Sequence, residues 1–244
     1  MKKPLIVANW KMNPLTFKKA EDLFKGINKE FKKVEVVVCP PFVFLSSTKT
    51  NFSLGAQNCF WEKEGAFSGE ISPYQLKSIG CKYVILGHSE RRKYFKETNE
   101  MVGKKIKKGL EAGLRPILCI GETLKEKNHI ADVLKKQMKQ SLNGISQKDA
   151  EKISIAYEPI WAIGSGHSCP VEEAKSTALL IRKILSGMYS AKKIRILYGG
   201  SVNSKNASLY VEKAGLDGLL IGGASLNIKE FLKIIKNISK LYSL

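Results

Sequence analysis

The chain has 244 residues, 43% of them hydrophobic, with 41 Lys and Arg against 22 Asp and Glu for a formal net charge of +19. That length buries a large core and fits either two small domains or one α/β barrel; no long Pro/Ser/Gly-rich linker divides it, so residues 1–244 read as a single domain. Apolar runs too short to span a membrane, five cysteines without a CxxC pair, and only five arginines among scattered lysines argue against a membrane segment, a disulfide or zinc framework, and specific nucleic-acid recognition.

The first strand-like run, Leu5 to Asn9, passes straight into Asn9-Trp10-Lys11-Met12-Asn13. Residues two apart in an extended segment share a face, which predicts Asn9 and Lys11 pointing one way and Trp10 the other. An amide and a fixed cation at a strand exit suit an anionic, carbonyl-bearing ligand, although a lysine in so basic a chain also reads as surface. A helix is expected from Thr16 to Phe31, a second strand from Val34 to Cys39 and a third from Ser53 to Gln57. The irregular stretch Gly65 to Ser72 carries Phe67 near its tip. An exposed apolar tip usually docks, so self-association is expected there.

The fourth strand, Tyr83 to Gly87, delivers His88-Ser89-Glu90-Arg91-Arg92. Of three histidines, only His88 follows a buried-looking strand, which makes it the candidate acid or electrophile; the alternative is a hydrogen-bonded structural residue. Glu90 would share its face and orient a cation such as Lys11. Helices from Asn99 to Leu110 and from Leu124 to Leu142 flank a fifth strand, Pro116 to Ile120, in which Cys119 reads as a small core residue.

The sixth strand, Ile153 to Tyr157, ends in Glu158 and Pro159. A glutamate after a strand is commonly solvated or caps a helix, but here the proline fixes it at a stiff hinge. The apolar Ile160, Trp161, Ala162 and Ile163 and then Gly164-Ser165-Gly166 form a loop able to close over a site, exclude water and offer backbone N–H groups to an anion. Pro170, Glu172 and Glu173 open a helix from Val171 to Met188. Strands from Ile194 to Tyr198 and from Gly218 to Ile221 exit into Gly199-Gly200-Ser201 and Gly222-Gly223-Ala224, glycines and a hydroxyl suited to a phosphate. A last helix runs from Ile228 to Ile238. Eight strand-like runs give about 30 residues per unit, the size of repeated βα units, though alternation alone fits an open sheet as well as a closed barrel.

Taken together and in order, NWKMN (Asn9 to Asn13), HSERR (His88 to Arg92), YEPIWAIGSG (Tyr157 to Gly166), YGGSV (Tyr198 to Val202) and IGGASL (Ile221 to Leu226) resemble the triosephosphate isomerase family over nearly the whole chain. The resemblance implies a single α/β (β/α)8 TIM barrel, a cytoplasmic homodimer joined through the loop Gly65 to Glu70, and no metal or organic cofactor. It implies interconversion of dihydroxyacetone phosphate and D-glyceraldehyde 3-phosphate, in glycolysis and gluconeogenesis. Glu158 would be the base, His88 the neutral imidazole that polarises the carbonyl, and Lys11 the cation beside the enediolate and phosphate. Asn9 would bind substrate oxygens, Glu90 support the network, and Gly164, Ser201, Gly222 and Gly223 hold the phosphate.

The chain departs from the family at Gly166-His167-Ser168-Cys169, where a lysine, a small hydroxyl or aliphatic residue and alanine are usual after the glycine, at Pro14 in place of glycine, and at Ser68 in place of threonine. Two other readings remain at this stage. One is a different phosphate-binding barrel acting on a larger sugar phosphate; the other is a basic binder of nucleic acid or anionic surfaces that keeps the barrel.

Overall fold

In a computed structural model, which describes residues 2–45, 50–164 and 168–242, eight parallel strands close into a barrel. They are β1 (Leu5–Asn9), β2 (Glu35–Cys39), β3 (Ser53–Ala56), β4 (Tyr83–Leu86), β5 (Arg115–Ile120), β6 (Ser154–Tyr157), β7 (Arg195–Tyr198) and β8 (Gly218–Ile221). Each pairs with the next, and β8 returns to β1 through Leu5 opposite Gly218 and Ala8 opposite Ile221. The fold is therefore the (β/α)8 barrel, and the open-sheet alternative falls.

Strands of a closed parallel sheet are covered on both faces, which explains their near-continuous Val, Ile and Leu. Leu5, Val7, Val37, Cys39, Ile85, Ile117, Cys119, Leu197 and Leu220 fill the interior. The alternate residues Ile6, Ala8, Val36, Val38 and Leu86 pack outward under the helices.

The helices are α1 (Phe17–Ile27), α2 (Pro73–Ser78), α3 (Ser89–Phe95), α4 (Asn99–Glu111), α5 (Ile130–Ser141), α6 (Gln147–Ala150), α7 (Val171–Ser186), α8 (Ala207–Glu212) and α9 (Ile228–Lys240). Side-chain caps set their starts: Thr16, Thr98 and Asn227 accept from the N–H groups of Lys19, Met101 and Glu230. Burial of Phe231, Ile234, Ile235 and Ile238, at spacings of three and four, fixes the inner face of α9.

The sequence-based strands agree with these to within a residue at either end. The expected helix from Leu124 to Leu142 divides instead into a tight turn, Leu124–His129, and α5. Thr123 N–H and hydroxyl both donate to the Glu126 carboxylate at that start, and His129 leaves helical geometry at φ −120°. Between β2 and β3 the described residues form only the turn Phe42–Phe44, with no α-helix. Among the described residues no helix is long and apolar enough to cross a membrane.

A buried ion cluster locks the exit of β4. Glu97 and Lys105 are 4% and 2% exposed and in direct contact; Lys105 Nζ also donates to Asn58 Oδ1 at 2.9 Å, and Arg91 Nε reaches Glu97 Oε1 at 3.3 Å. The second Glu97 oxygen accepts from Gly87 N–H at 3.1 Å, which draws Gly87 out of the strand ladder. Burial alone would push the Glu97 carboxyl up, but Lys105 and Arg91 outweigh it and hold the group below its ordinary range.

A carboxyl depressed in the folded state contributes stability that is complete above its unfolded value of about 4.3 and is lost as pH falls through the lower folded value. Lys105→Met and Glu97→Gln should each destabilise by about 3–5 kcal/mol in urea unfolding, because each leaves a charge or its donors buried without a partner. Glu97→Gln should also flatten the acid limb of the stability profile. A loss below about 1 kcal/mol in both variants would mean the cluster is solvated in the folded chain.

Candidate active site

At the exits of β1, β4, β6, β7 and β8 lies a cleft of about 310 Å³ lined by Asn9, Lys11, His88, Glu158, Gly164, Ser201, Gly222 and Gly223. The five sequence motifs thus meet in one place, and Glu90 joins them through Lys11, whose Nζ lies 2.5 Å from Glu90 Oε1.

β1 brings Asn9 and Lys11 to the cleft, while Trp10 packs outward on Phe24 with ring centroids 4.7 Å apart. The predicted sides are right, but the route differs, since Lys11 is not extended. Its φ is 54°, a left-handed conformation that costs a non-glycine residue of order 1–3 kcal/mol and persists only when neighbours hold it. Asn9 Oδ1 accepts from Lys11 N–H at 3.1 Å, and Gln57 Nε2 donates to the carbonyls of Lys11 at 2.8 Å and Cys39 at 2.9 Å. Gln57 therefore braces the lysine from β3, a role its place among small residues after a strand did not signal.

His88 caps α3. Its Nδ1 accepts from Glu90 N–H at 3.2 Å, which leaves Nε2 as the nitrogen facing the cleft. Glu158 is 2% exposed; Oε2 accepts from Ser89 N–H at 2.9 Å, whereas Oε1 lies 3.1 Å from His88 Nε2 without hydrogen-bond geometry and has no other partner. One oxygen anchors the carboxylate and the other stays free to take a proton. Ser89 N–H, the donor that holds the base, is another functional group the sequence reading passed over.

The backbone of Glu158 is fixed by both neighbouring strands. Its N–H donates to Ile120 O at 2.7 Å, and Gly199 N–H donates to Tyr157 O at 2.7 Å. A Cβ at Gly121 would lie 1.7 Å from Glu158 O, and one at Gly199 would lie 3.0 Å from Glu158 Cγ. Both positions therefore need glycine to leave room for Glu158.

Beyond the hinge, Glu122 is fully buried and its Oε1 accepts from Trp161 Nε1 at 2.7 Å and Tyr157 hydroxyl at 3.1 Å. Burial pushes its carboxyl up despite the indole hydrogen bond. On the other flank Ser201 hydroxyl donates to Ala162 O at 2.7 Å, and Tyr198 hydroxyl accepts from Cys169 N–H at 3.1 Å. In this arrangement the Ser201 hydroxyl is engaged with the lid base rather than presented to the cleft. Ser165, Gly166 and His167, part of the predicted lid, lie outside the described residues. Burial raises the Cys119 thiol well above its ordinary range, in keeping with a core residue. Among the described residues no group of three or more His, Cys, Asp or Glu side chains could hold a metal ion.

A carboxylate, an imidazole and an ammonium stand at one end of a parallel barrel, facing paired glycine turns, where enzymes of the (β/α)8 class carry their active sites. The family model for triosephosphate isomerase matches residues 4–238. A triosephosphate isomerase of Dictyoglomus thermophilum is 48% identical over 250 residues, covering 97% of this chain and 100% of its own. Those of Alkaliphilus oremlandii and Endomicrobium trichonymphae are 48% and 46% identical, covering 96% and 97% of this chain and 99% of their own in each case. The chain belongs to the triosephosphate isomerase family, and its enzyme class is isomerase.

Gly121→Ala should cost roughly a hundredfold in kcat, the scale expected when a catalytic group is moved by about 1 Å, with Gly199→Ala less severe. Circular dichroism should show both folded. If Gly121→Ala kept natural turnover, the close approach to Glu158 would not be what places the base.

Proposed function

We propose that this cleft carries out the reaction of its family, interconverting dihydroxyacetone phosphate and D-glyceraldehyde 3-phosphate through an enediolate, with Glu158 as the base. The observation that carries the reading is the free Glu158 Oε1 standing 3.1 Å from His88 Nε2 in a cleft that also holds Lys11. Glu158 takes a proton from the carbon beside the carbonyl; His88 Nε2–H polarises the carbonyl oxygen, gives it a proton and recovers one from the neighbouring hydroxyl. Glu158 then returns its proton to the adjacent carbon, so atoms and charge balance with no external acid. Lys11 places a positive charge where the enediolate oxygen becomes negative, and Glu90 fixes the ammonium in position.

Asn9 binds substrate oxygens. Gly164, Gly222 and Gly223 offer backbone N–H groups to the phosphate, and Ser201 joins them when its hydroxyl leaves Ala162 O. The phosphate binds away from the reacting carbons, so its binding energy is available to hold the lid closed during proton transfer. Glu158→Gln keeps the side chain's shape and removes its base. In a coupled assay on D-glyceraldehyde 3-phosphate it should lose several orders of magnitude in kcat while remaining folded, and equal turnover by both proteins would reject Glu158 as the base.

The whole chain, residues 1–244, acts as one domain in this reading, and a cytoplasmic homodimer is its assembled form. Support for the dimer comes from large apolar side chains left exposed along the loops after β1 to β4: Met12, Leu15, Val43, Phe67, Tyr94 and Phe95. Phe67 stands on Phe60 with centroids 4.8 Å apart, in the loop Gly65 to Glu70, beside a separate surface pocket that Phe60, Gly65, Phe67 and Glu70 help to line. Sedimentation at assay concentration should give a dimer, and Phe67→Ser should weaken it and lower specific activity on dilution. A fully active monomer would overturn the assembly.

A further inference from the structure

Residues Ile160–Gly164, the part of the predicted lid that the structure describes, are held on opposite flanks by different strand loops. The loop after β7 holds Ala162 through Ser201, whereas the loop after β5 holds Trp161 through Glu122. One further side chain touches this base without belonging to any motif. Lys127 Nζ lies 4.1 Å from the centroid of the Trp161 ring, and the same ammonium reaches Glu173 Oε1 at 2.8 Å and Oε2 at 3.1 Å. Trp161 stands just after the base, in the near side of the lid; Glu173 stands in the first turn of α7, just past its far side. Lys127 thus grips both margins of the loop at once.

The direction of this grip matters. β6 lies between β5 and β7 in the barrel, and the glycine turns of the phosphate site follow β7 and β8. From that strand order, movement of Ile160–Gly164 toward a phosphate held after β7 and β8 would carry Trp161 away from Glu122 and Lys127, which follow β5. A cation over the face of an indole is worth about 0.5–2 kcal/mol, and tying that cation to a carboxylate holds it in place.

We propose that Lys127 is a positioning residue for the isomerase reaction: by stacking on Trp161 while paired to Glu173 it holds the lid base against closure and so sets substrate affinity. This rests on the functional reading above, through the lid alone, since Lys127 touches neither substrate nor the reacting groups. Loss of the hold favours the closed arrangement, which binds the phosphate more tightly and lets product go less readily.

The test uses steady-state kinetics together with direct binding of glycerol 3-phosphate, a three-carbon polyol phosphate that lacks the reacting carbonyl. Lys127→Met keeps the length of the side chain and removes its charge. KM and the Kd for glycerol 3-phosphate should fall together by about threefold to tenfold, with no matching gain in kcat. Glu173→Gln leaves the ammonium over the ring but untethers it, and should shift both constants the same way by less. Lys127→Arg, whose guanidinium both stacks and pairs with carboxylates, should restore the natural values. Constants within twofold of natural in Lys127→Met, or an Arg variant that behaves like the Met variant, would reduce the contact to packing. A natural chain that binds glycerol 3-phosphate but shows no turnover would count against the isomerase reading, while a changed Kd would still report on Lys127.

Discussion

The hydrogen bond from Ser89 N–H to Glu158 Oε2 ties the exit of β4 to the exit of β6, and most of the cleft is arranged around it. A carboxylate with almost no solvent access needs at least one strong donor, or the cost of burying it exceeds anything its neighbours return. The first turn of α3 supplies that donor and two more constraints besides. His88, as the residue before the helix, spends Nδ1 on Glu90 N–H and so leaves Nε2 as the nitrogen facing Glu158. Glu90, one residue on, holds the Lys11 ammonium from the opposite wall. Three successive residues therefore position Glu158, His88 and Lys11, the base, electrophile and cation of the proposed reaction, and the Glu97 cluster joins the same turn through Gly87 and Arg91.

Charge is distributed by the same logic. The chain carries +19, yet the cleft brings together one ammonium, two carboxylates and one imidazole. A phosphate dianion must therefore be met by backbone N–H groups, with the surrounding lysines raising its encounter rate rather than gripping it. Most surface ion pairs, such as Lys18 with Asp22 and Lys152 with Asp149, join exposed side chains and add little. Glu97 with Lys105 is different in kind, because neither partner can turn to water if the other is lost.

The barrel and the placement of the cleft residues were legible because both follow from local pattern. Runs of Val, Ile and Leu end abruptly where a charged or glycine residue begins, so Asn9, Lys11, His88 and Glu158 could be placed at strand exits from spacing alone. The supporting residues were not legible, since each acts across the barrel on a neighbour far away in sequence. Gln57 braces Lys11 from β3, Gly121 makes room for the Glu158 carbonyl from β5, and Glu122 anchors Trp161. Lys11 reached its predicted side through a left-handed backbone that alternation cannot foresee. The false single helix from Leu124 to Leu142 had the right apolar period but ignored the competition that Glu126 offers for the N–H and hydroxyl of Thr123.

In the proposed reaction the base sits at the root of a closing loop and meets a conflict, because motion that covers the substrate would also drag the base. Here the conflict is resolved by where the hydrogen bonds stop. Glu158 N–H is held by Ile120 O and Ile160 N–H by Glu122 O, both on β5 or its exit, while Gly199 holds Tyr157 from β7. The backbone is thus stitched to both neighbouring strands up to Ile160, and Pro159 stiffens the single residue between. Only past that point does the chain depend on side-chain contacts, those of Trp161, Ala162 and Cys169, which can be exchanged without opening the barrel ladder. The lid can therefore pivot about a root that stays part of the sheet, and the carboxylate keeps its place while its surroundings change.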